Sequence, residues 1–158
     1  MLETKRLKKL LKPVIPAIEP PTIDRSSAKG LSHVCLTTPD LLSTRNFYKQ
    51  VLGFKIVHIF TNKSGEEYGL IFHLGNSTFL EFFKGELSVA RQNLRHICIS
   101  VEDLALLGRR LRMFGYEIQI KRGRTDLTLQ AEVTDPNGLV VEFHQYDELS
   151  TLNEFSQK

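Results

Sequence analysis

Apolar and polar residues alternate along residues 31–38, Leu-Ser-His-Val-Cys-Leu-Thr-Thr, in a run rich in β-forming side chains, and this predicts a strand. The period then changes. Leu41, Leu42, Phe47, Tyr48, Val51 and Leu52 recur at helical spacing, with Asp40 at the N-cap position and Gly53 where a helix ends. Three further strands are predicted at roughly 54–61, 67–74 and 77–84, parted by turns at Ser64-Gly65 and Gly75-Asn76. The second half repeats the order: a strand at 94–101, a helix at 103–114 closed by Gly115, then strands near 116–121, 127–134 and 139–145. Asp135-Pro-Asn-Gly138 is a strong turn signal before the last of these. Each half therefore reads βαβββ.

The two halves also match residue by residue. Leu31-Ser-His-Val-Cys-Leu-Thr-Thr-Pro-Asp-Leu41 aligns with Leu94-Arg-His-Ile-Cys-Ile-Ser-Val-Glu-Asp-Leu104 at an offset of 63, pairing His33 with His96 and Cys35 with Cys98. The offset is 62 between Leu52-Gly-Phe54 and Phe114-Gly-Tyr116, and 61 between Phe79-Leu-Glu-Phe82 and Val140-Val-Glu-Phe143. A drift of one residue at a time is loop trimming between two copies of one supersecondary unit. The expected fold class is α+β, two tandem βαβββ modules (31–85 and 94–146) forming a curved mixed sheet around a metal-binding cavity, with an arm at 1–30 and a tail at 147–158.

Candidate chemistry falls on the repeat. Alternation puts His33, Cys35 and Thr37 on one strand face, and His96, Cys98 and Ser100 on the matching one. Glu81 lies between Phe79 and Phe83, and Glu142 between Val140 and His144. A carboxylate inside an apolar strand is costly to bury unless it is paired or binds a cation, and here it occurs twice at one repeat position. Two imidazoles and two carboxylates make a neutral donor set for a divalent metal ion, with Ni, Zn, Co, Mn and Fe all compatible. His33, Glu81, His96 and Glu142 are the expected ligands, and whether they meet within one chain or between two is left open. Cys35 and Cys98 are expected to pack as small apolar groups. His144 shares a face with Glu142 but is expected near solvent at the strand end. Lys84, Arg122 and Arg124 are candidates for an anionic substrate tail, with ordinary solvation as the default.

Composition narrows the class further. Hydrophobic residues at 41% and charged residues at 25% over 158 positions describe a globular domain. No run reaches the roughly 18 apolar residues of a membrane span, so no membrane is expected. Residues 1–30 hold seven Lys/Arg against three acidic residues, +4, and the remainder 14 against 15, −1. The basic balance thus belongs to the Pro-broken arm (Pro13, Pro16, Pro20, Pro21), and the domain is not expected to bind nucleic acid. The arm is expected to be solvated or to strap a neighbouring subunit. Two cysteines are too few for a disulfide framework, which places the chain in the cytoplasm as an expectation.

With these motifs in hand, the chain resembles the vicinal oxygen chelate superfamily, which includes glyoxalase I, methylmalonyl-CoA epimerase, bleomycin-resistance proteins and extradiol dioxygenases. The resemblance covers residues 31–146. It is carried by Leu-Ser-His33-Val, Asn46-Phe-Tyr-Lys-Gln-Val-Leu-Gly-Phe54, Phe-Leu-Glu81-Phe, Leu-Arg-His96-Ile and Asp135-Pro-Asn-Gly-Leu-Val-Val-Glu142-Phe. It implies that His33, Glu81, His96 and Glu142 match the metal set of glyoxalase I. It also implies a lyase or isomerase acting on a small-molecule substrate with two adjacent oxygens through an enediolate, with Glu142 and Glu81 as the catalytic carboxylates. A homodimer is the expected assembly. An Fe(II) dioxygenase and a small-molecule binding or resistance protein without turnover are the alternatives. One departure matters: where bacterial glyoxalase I has Arg and Asn contacts to glutathione, this chain has Thr37 and Gly85.

Overall fold

The alternating runs become strands in the order the pattern predicts. The computed structural model describes residues 30–87 and 94–156. The expectations for the arm, including the strap role, lie outside the described residues.

In the first module β1 (His33–Thr38) is followed by a short helix α1 (Leu41–Arg45) that continues as a π-helical turn (Asn46–Val51), then β2 (Lys55–Thr61), β3 (Glu67–Gly75) and β4 (Thr78–Lys84). In the second, β5 (His96–Ser100) leads to α2 (Leu104–Met113), β6 (Lys121–Arg122), β7 (Leu129–Thr134) and β8 (Val140–Gln145). A one-turn helix α3 (Asn153–Ser156) lies in the expected tail. The Asp40 cap acts as predicted, its carboxylate accepting from the backbone N–H of Leu42 and Ser43; Asp103, expected inside the second helix, caps it instead and accepts from Leu106. Gly53 and Gly115 end their helices at φ +84° and +82°, backbone that glycine adopts without a Cβ penalty. The strand expected at 116–121 shrinks to two paired residues, Lys121 and Arg122.

The strands form two four-stranded mixed sheets of one topology, β1-β4-β3-β2 and β5-β8-β7-β6. The first strand of each runs parallel to the last, and the other pairs are antiparallel. Each sheet buries one face. Leu70, Phe72, Leu80 and Phe82 of the first sheet, and Ile97, Ile99, Ala131, Val133, Val141 and Phe143 of the second, join Phe47, Tyr48, Val51, Leu52, Leu104 and Leu111 of the helices in one core. A fully buried side chain of this size stabilises the fold by about 1.5–3 kcal/mol.

Between the modules runs a polar junction. The Tyr48 hydroxyl, fully buried, donates to the Asp135 carboxylate at 3.0 Å. Asn137 joins Thr38 and Thr44, with 2.7 Å from the Thr38 hydroxyl to its Oδ1 and 3.2 Å from its Nδ2 to the Thr44 hydroxyl. Arg110 of α2 donates to the Val51 and Gln50 carbonyls at 2.6 and 2.8 Å, capping the end of the first module's helix. The turn at Asp135-Pro-Asn-Gly138 therefore does more than reverse the chain; it docks the second module on the first.

Candidate metal centre

Since the helices cover one face of each sheet, the opposite faces carry the candidate chemistry. Strand register sets the neighbours: Cys35 lies beside Glu81 in the first sheet, and Cys98 beside Glu142 in the second. His33 and His96 sit one pleat further back, beside Phe79 and Val140. His33, Cys35, Thr37, His96, Cys98 and Ser100 are all exposed, so neither face is covered.

The repeat-matched faces differ in what surrounds the carboxylate. Glu142 is buried, with His96 Nε2 at 3.2 Å and His144 Nε2 at 3.4 Å from its Oε2. The Cys98 thiol hydrogen-bonds to the same carboxylate; partial desolvation of its sulfur against the sheet, then the charge of Glu142, pushes it up to about 12. Cys35 bonds to Glu81 in the matched way, and partial desolvation followed by that bond raises its thiol too. The cysteines are therefore not the buried apolar packing expected of them: both are exposed and face carboxylates. His144 is corrected as well, since its side chain is 15% exposed and its buried Nε2 has no hydrogen-bond partner among the described residues. The Tyr146 ring lies edge-on to it at 5.8 Å.

The four expected ligands are only partly brought together within one chain. His96 and Glu142 meet. Among the described residues, the group of three or more His, Cys, Asp and Glu able to share an ion is Cys98, Glu142 and His144, whose donor atoms lie within 4.8 Å of one another. His33 and Glu81 belong to the other sheet and form no such group with them. The donor set still fits a cation. Glu132 is the cross-strand neighbour of Glu142, and like charges so placed destabilise a sheet unless a cation offsets them. Lys121, 3.9 Å from Glu132 and exposed, offsets only the outer carboxylate. The His144 Nε2, 3.4 Å from the Glu142 carboxylate and without a hydrogen-bond partner among the described residues, offers a further nitrogen donor at the same spot.

A cleft of about 370 Å³ opens beside the two faces, lined by Cys35 and Thr37 of β1, by Arg95 and Val140, and by the Asn137–Leu139 turn. Arg95 carries no signal in the sequence pattern, and the fold alone brings it to the cleft. The proposed anion-binding cations are engaged elsewhere: Lys84 lies 3.6 Å from Glu66, and Arg122 holds Asp147 at 2.7 Å, keeping that carboxyl well below its usual range. Arg124 is exposed. Thr37 and Gly85 prove to be neighbours, since a Cβ on Gly85 would lie 3.0 Å from the Thr37 methyl.

Residues 30–143 match the model of the Glyoxalase/Bleomycin resistance protein/Dioxygenase superfamily. The chain belongs to that superfamily. The crystal structure of a glyoxalase family protein from Enterococcus faecalis is similar at 25% identity and a TM-score of 0.61, over 73% of this chain and 97% of that one. TnmS3, an antibiotic-binding protein from Streptomyces sp. CB03234, shares the fold at 19% identity, TM-score 0.62, over 78% and 100% of the two chains. Lactoylglutathione lyase from Agrobacterium tumefaciens shares it at 18% identity, TM-score 0.58, over 76% and 96%. No curated protein matches the chain. The superfamily thus spans enzymes and binding proteins on one fold, and the fold alone does not choose between them. No helix among the described residues is long and apolar enough to cross a membrane.

Proposed function

We propose that this chain is a metal-dependent lyase or isomerase of the glyoxalase type, acting on a small molecule with two adjacent oxygens. The site would be assembled between two copies of the chain. The observation that carries this reading is the matched pair of uncovered sheet faces, each presenting one histidine and one glutamate at the same register positions. In the first chain's second module, His96 and Glu142 already touch; His33 and Glu81 of a second chain would complete the set. A divalent ion held there (Ni, Zn, Co, Mn or Fe) supplies Lewis-acid stabilisation of the oxyanion that forms on the substrate. Glu142 would take the proton from the carbon beside those oxygens, with Glu81 as the partner carboxylate able to exchange roles with it. His96 at 3.2 Å fixes the Glu142 carboxylate, and the buried sheet face behind holds its strand rigid. Two free cysteines agree with a reducing cytoplasm.

The substrate is not the glutathione adduct of methylglyoxal. Thr37 and Gly85 together make a small, uncharged corner, which offers neither the guanidinium nor the amide that the resemblance assigns to glutathione. Turnover of the methylglyoxal–glutathione hemithioacetal should be weak or absent; a kcat/KM of roughly 10⁴ M⁻¹s⁻¹ or more would refute this.

Mixing two inactive variants tests the shared site. His33→Ala chains and Glu142→Ala chains each lack one half of every site, yet a heterodimer contains one complete set. Metal binding at the full affinity of the unmutated chain, measured by calorimetry, should return at one ion per heterodimer. A mixture that regains that affinity at no ratio would mean that the four residues do not join across chains.

A further inference from the structure

The two faces are not equivalent, and the difference lies at one repeat position. At the offset of 61 that pairs Glu142 with Glu81, His144 pairs with Phe83. The first module thus has a phenyl ring, engaged with Phe60 and Tyr68 at 4.9 and 5.9 Å, where the second has an imidazole beside its carboxylate. We propose that Cys98, Glu142 and His144 form a metal-binding set contained in the second module, which holds a divalent ion before and without the first module's His33 and Glu81. The inference rests on the metal-dependent reading above and changes how its site is built.

Two observations carry it. The thiol, carboxylate and imidazole donors lie within 4.8 Å of one another on adjacent strands, so one ion can reach all three without backbone movement. The imidazole Nε2 is buried and, among the described residues, has no hydrogen-bond partner; its nearest acidic oxygen is that of Glu142 at 3.4 Å, so the nitrogen faces the same spot as the other two donors. His96 stands 3.2 Å from the same oxygen on the exposed side and lies outside the three-donor group. A donor set of sulfur, nitrogen and carboxylate oxygen suits Zn(II) or Co(II). On binding, the Cys98 thiol releases its proton to solvent and the sulfur lone pair enters the coordination sphere. The second module then acts as the resident holder of the ion, and the first module's residues complete the sphere and adjust it.

The test compares Zn(II) calorimetry on the full chain and on three variants, with Co(II) absorption as a second readout. His33→Ala/Glu81→Ala should retain one ion per chain, weakened by roughly 10–100-fold as for the loss of supporting groups. Adding His144→Phe to that pair should abolish binding. This substitution installs the residue that the first module already carries at the matched position, so the sheet should tolerate it; unchanged circular dichroism verifies that. The Co(II) protein should show a thiolate-to-cobalt charge-transfer band that Cys98→Ser removes. Loss of all binding in His33→Ala/Glu81→Ala, with the wild type still binding, would overturn the self-contained set while leaving the four-residue site standing. Binding that survives His144→Phe and Cys98→Ser unchanged would overturn it equally. A wild type that binds no ion would overturn both readings.

Discussion

At the residue scale, the environment of Glu142 organises much of the chemistry, and Cys98 reports on it. Partial desolvation and the adjacent carboxylate push the Cys98 thiol up from an ordinary 9.0 to about 12. The folded chain therefore holds this proton more tightly than the unfolded chain does. Its stabilising contribution is complete below pH 9.0 and is lost as pH rises toward about 12. In metal-free protein at pH 8, Cys98 should carry much less thiolate than an unperturbed cysteine and alkylate with iodoacetamide correspondingly slowly. Glu142→Gln should speed that reaction; an unchanged rate would mean the carboxylate does not act on the thiol. The sequence pattern could find Glu142, because a carboxylate in an apolar strand recurs at the repeat position. His144 was legible only as a strand-mate, because it is where the repeat breaks, and its burial depends on Tyr146 and the neighbouring strand. Cys98 was misread as apolar filling because residue type says nothing about which face of the strand is covered.

At the element scale, strands and caps follow from local pattern, whereas the departures come from tertiary contacts. The first helix changes to a π-turn at Asn46–Val51, with the Leu52 N–H reaching the Phe47 carbonyl, as it brings Phe47 and Tyr48 into the shared core. The strand expected at 116–121 pairs only at Lys121 and Arg122, while Tyr116 and Ile118 before it pack against the core instead. The turn at Asp135 was visible in the sequence, but its docking role required Tyr48, 87 positions away. Tyr48→Phe removes the donor to a buried carboxylate and should destabilise the protein by about 1–3 kcal/mol. Asn137→Ala should cost a similar amount by freeing Thr38 and Thr44. Urea unfolding with an unchanged m-value measures both; a loss below about 0.5 kcal/mol for each would show that the junction is not a stabilising contact.

At the scale of the whole molecule, the tandem repeat predicted the architecture, and the fold shows two sheets whose His- and Glu-bearing faces are uncovered. A polar, partly aromatic sheet face with buried carboxylate and exposed imidazole is completed most simply by the matching face of a second copy. Sedimentation at micromolar concentration should find a dimer, and a monomer would remove the shared site. Periodicity could not reveal this, because alternation marks which side chains share a face and not what covers it. The most direct test of the account is the number of divalent ions bound per chain, by calorimetry of chelator-treated protein against Zn(II), Ni(II), Co(II) and Mn(II). The account predicts one tightly bound ion per chain for at least one of these metals, lost on His96→Ala/Glu142→Ala. No stoichiometric binding of any of them would contradict it.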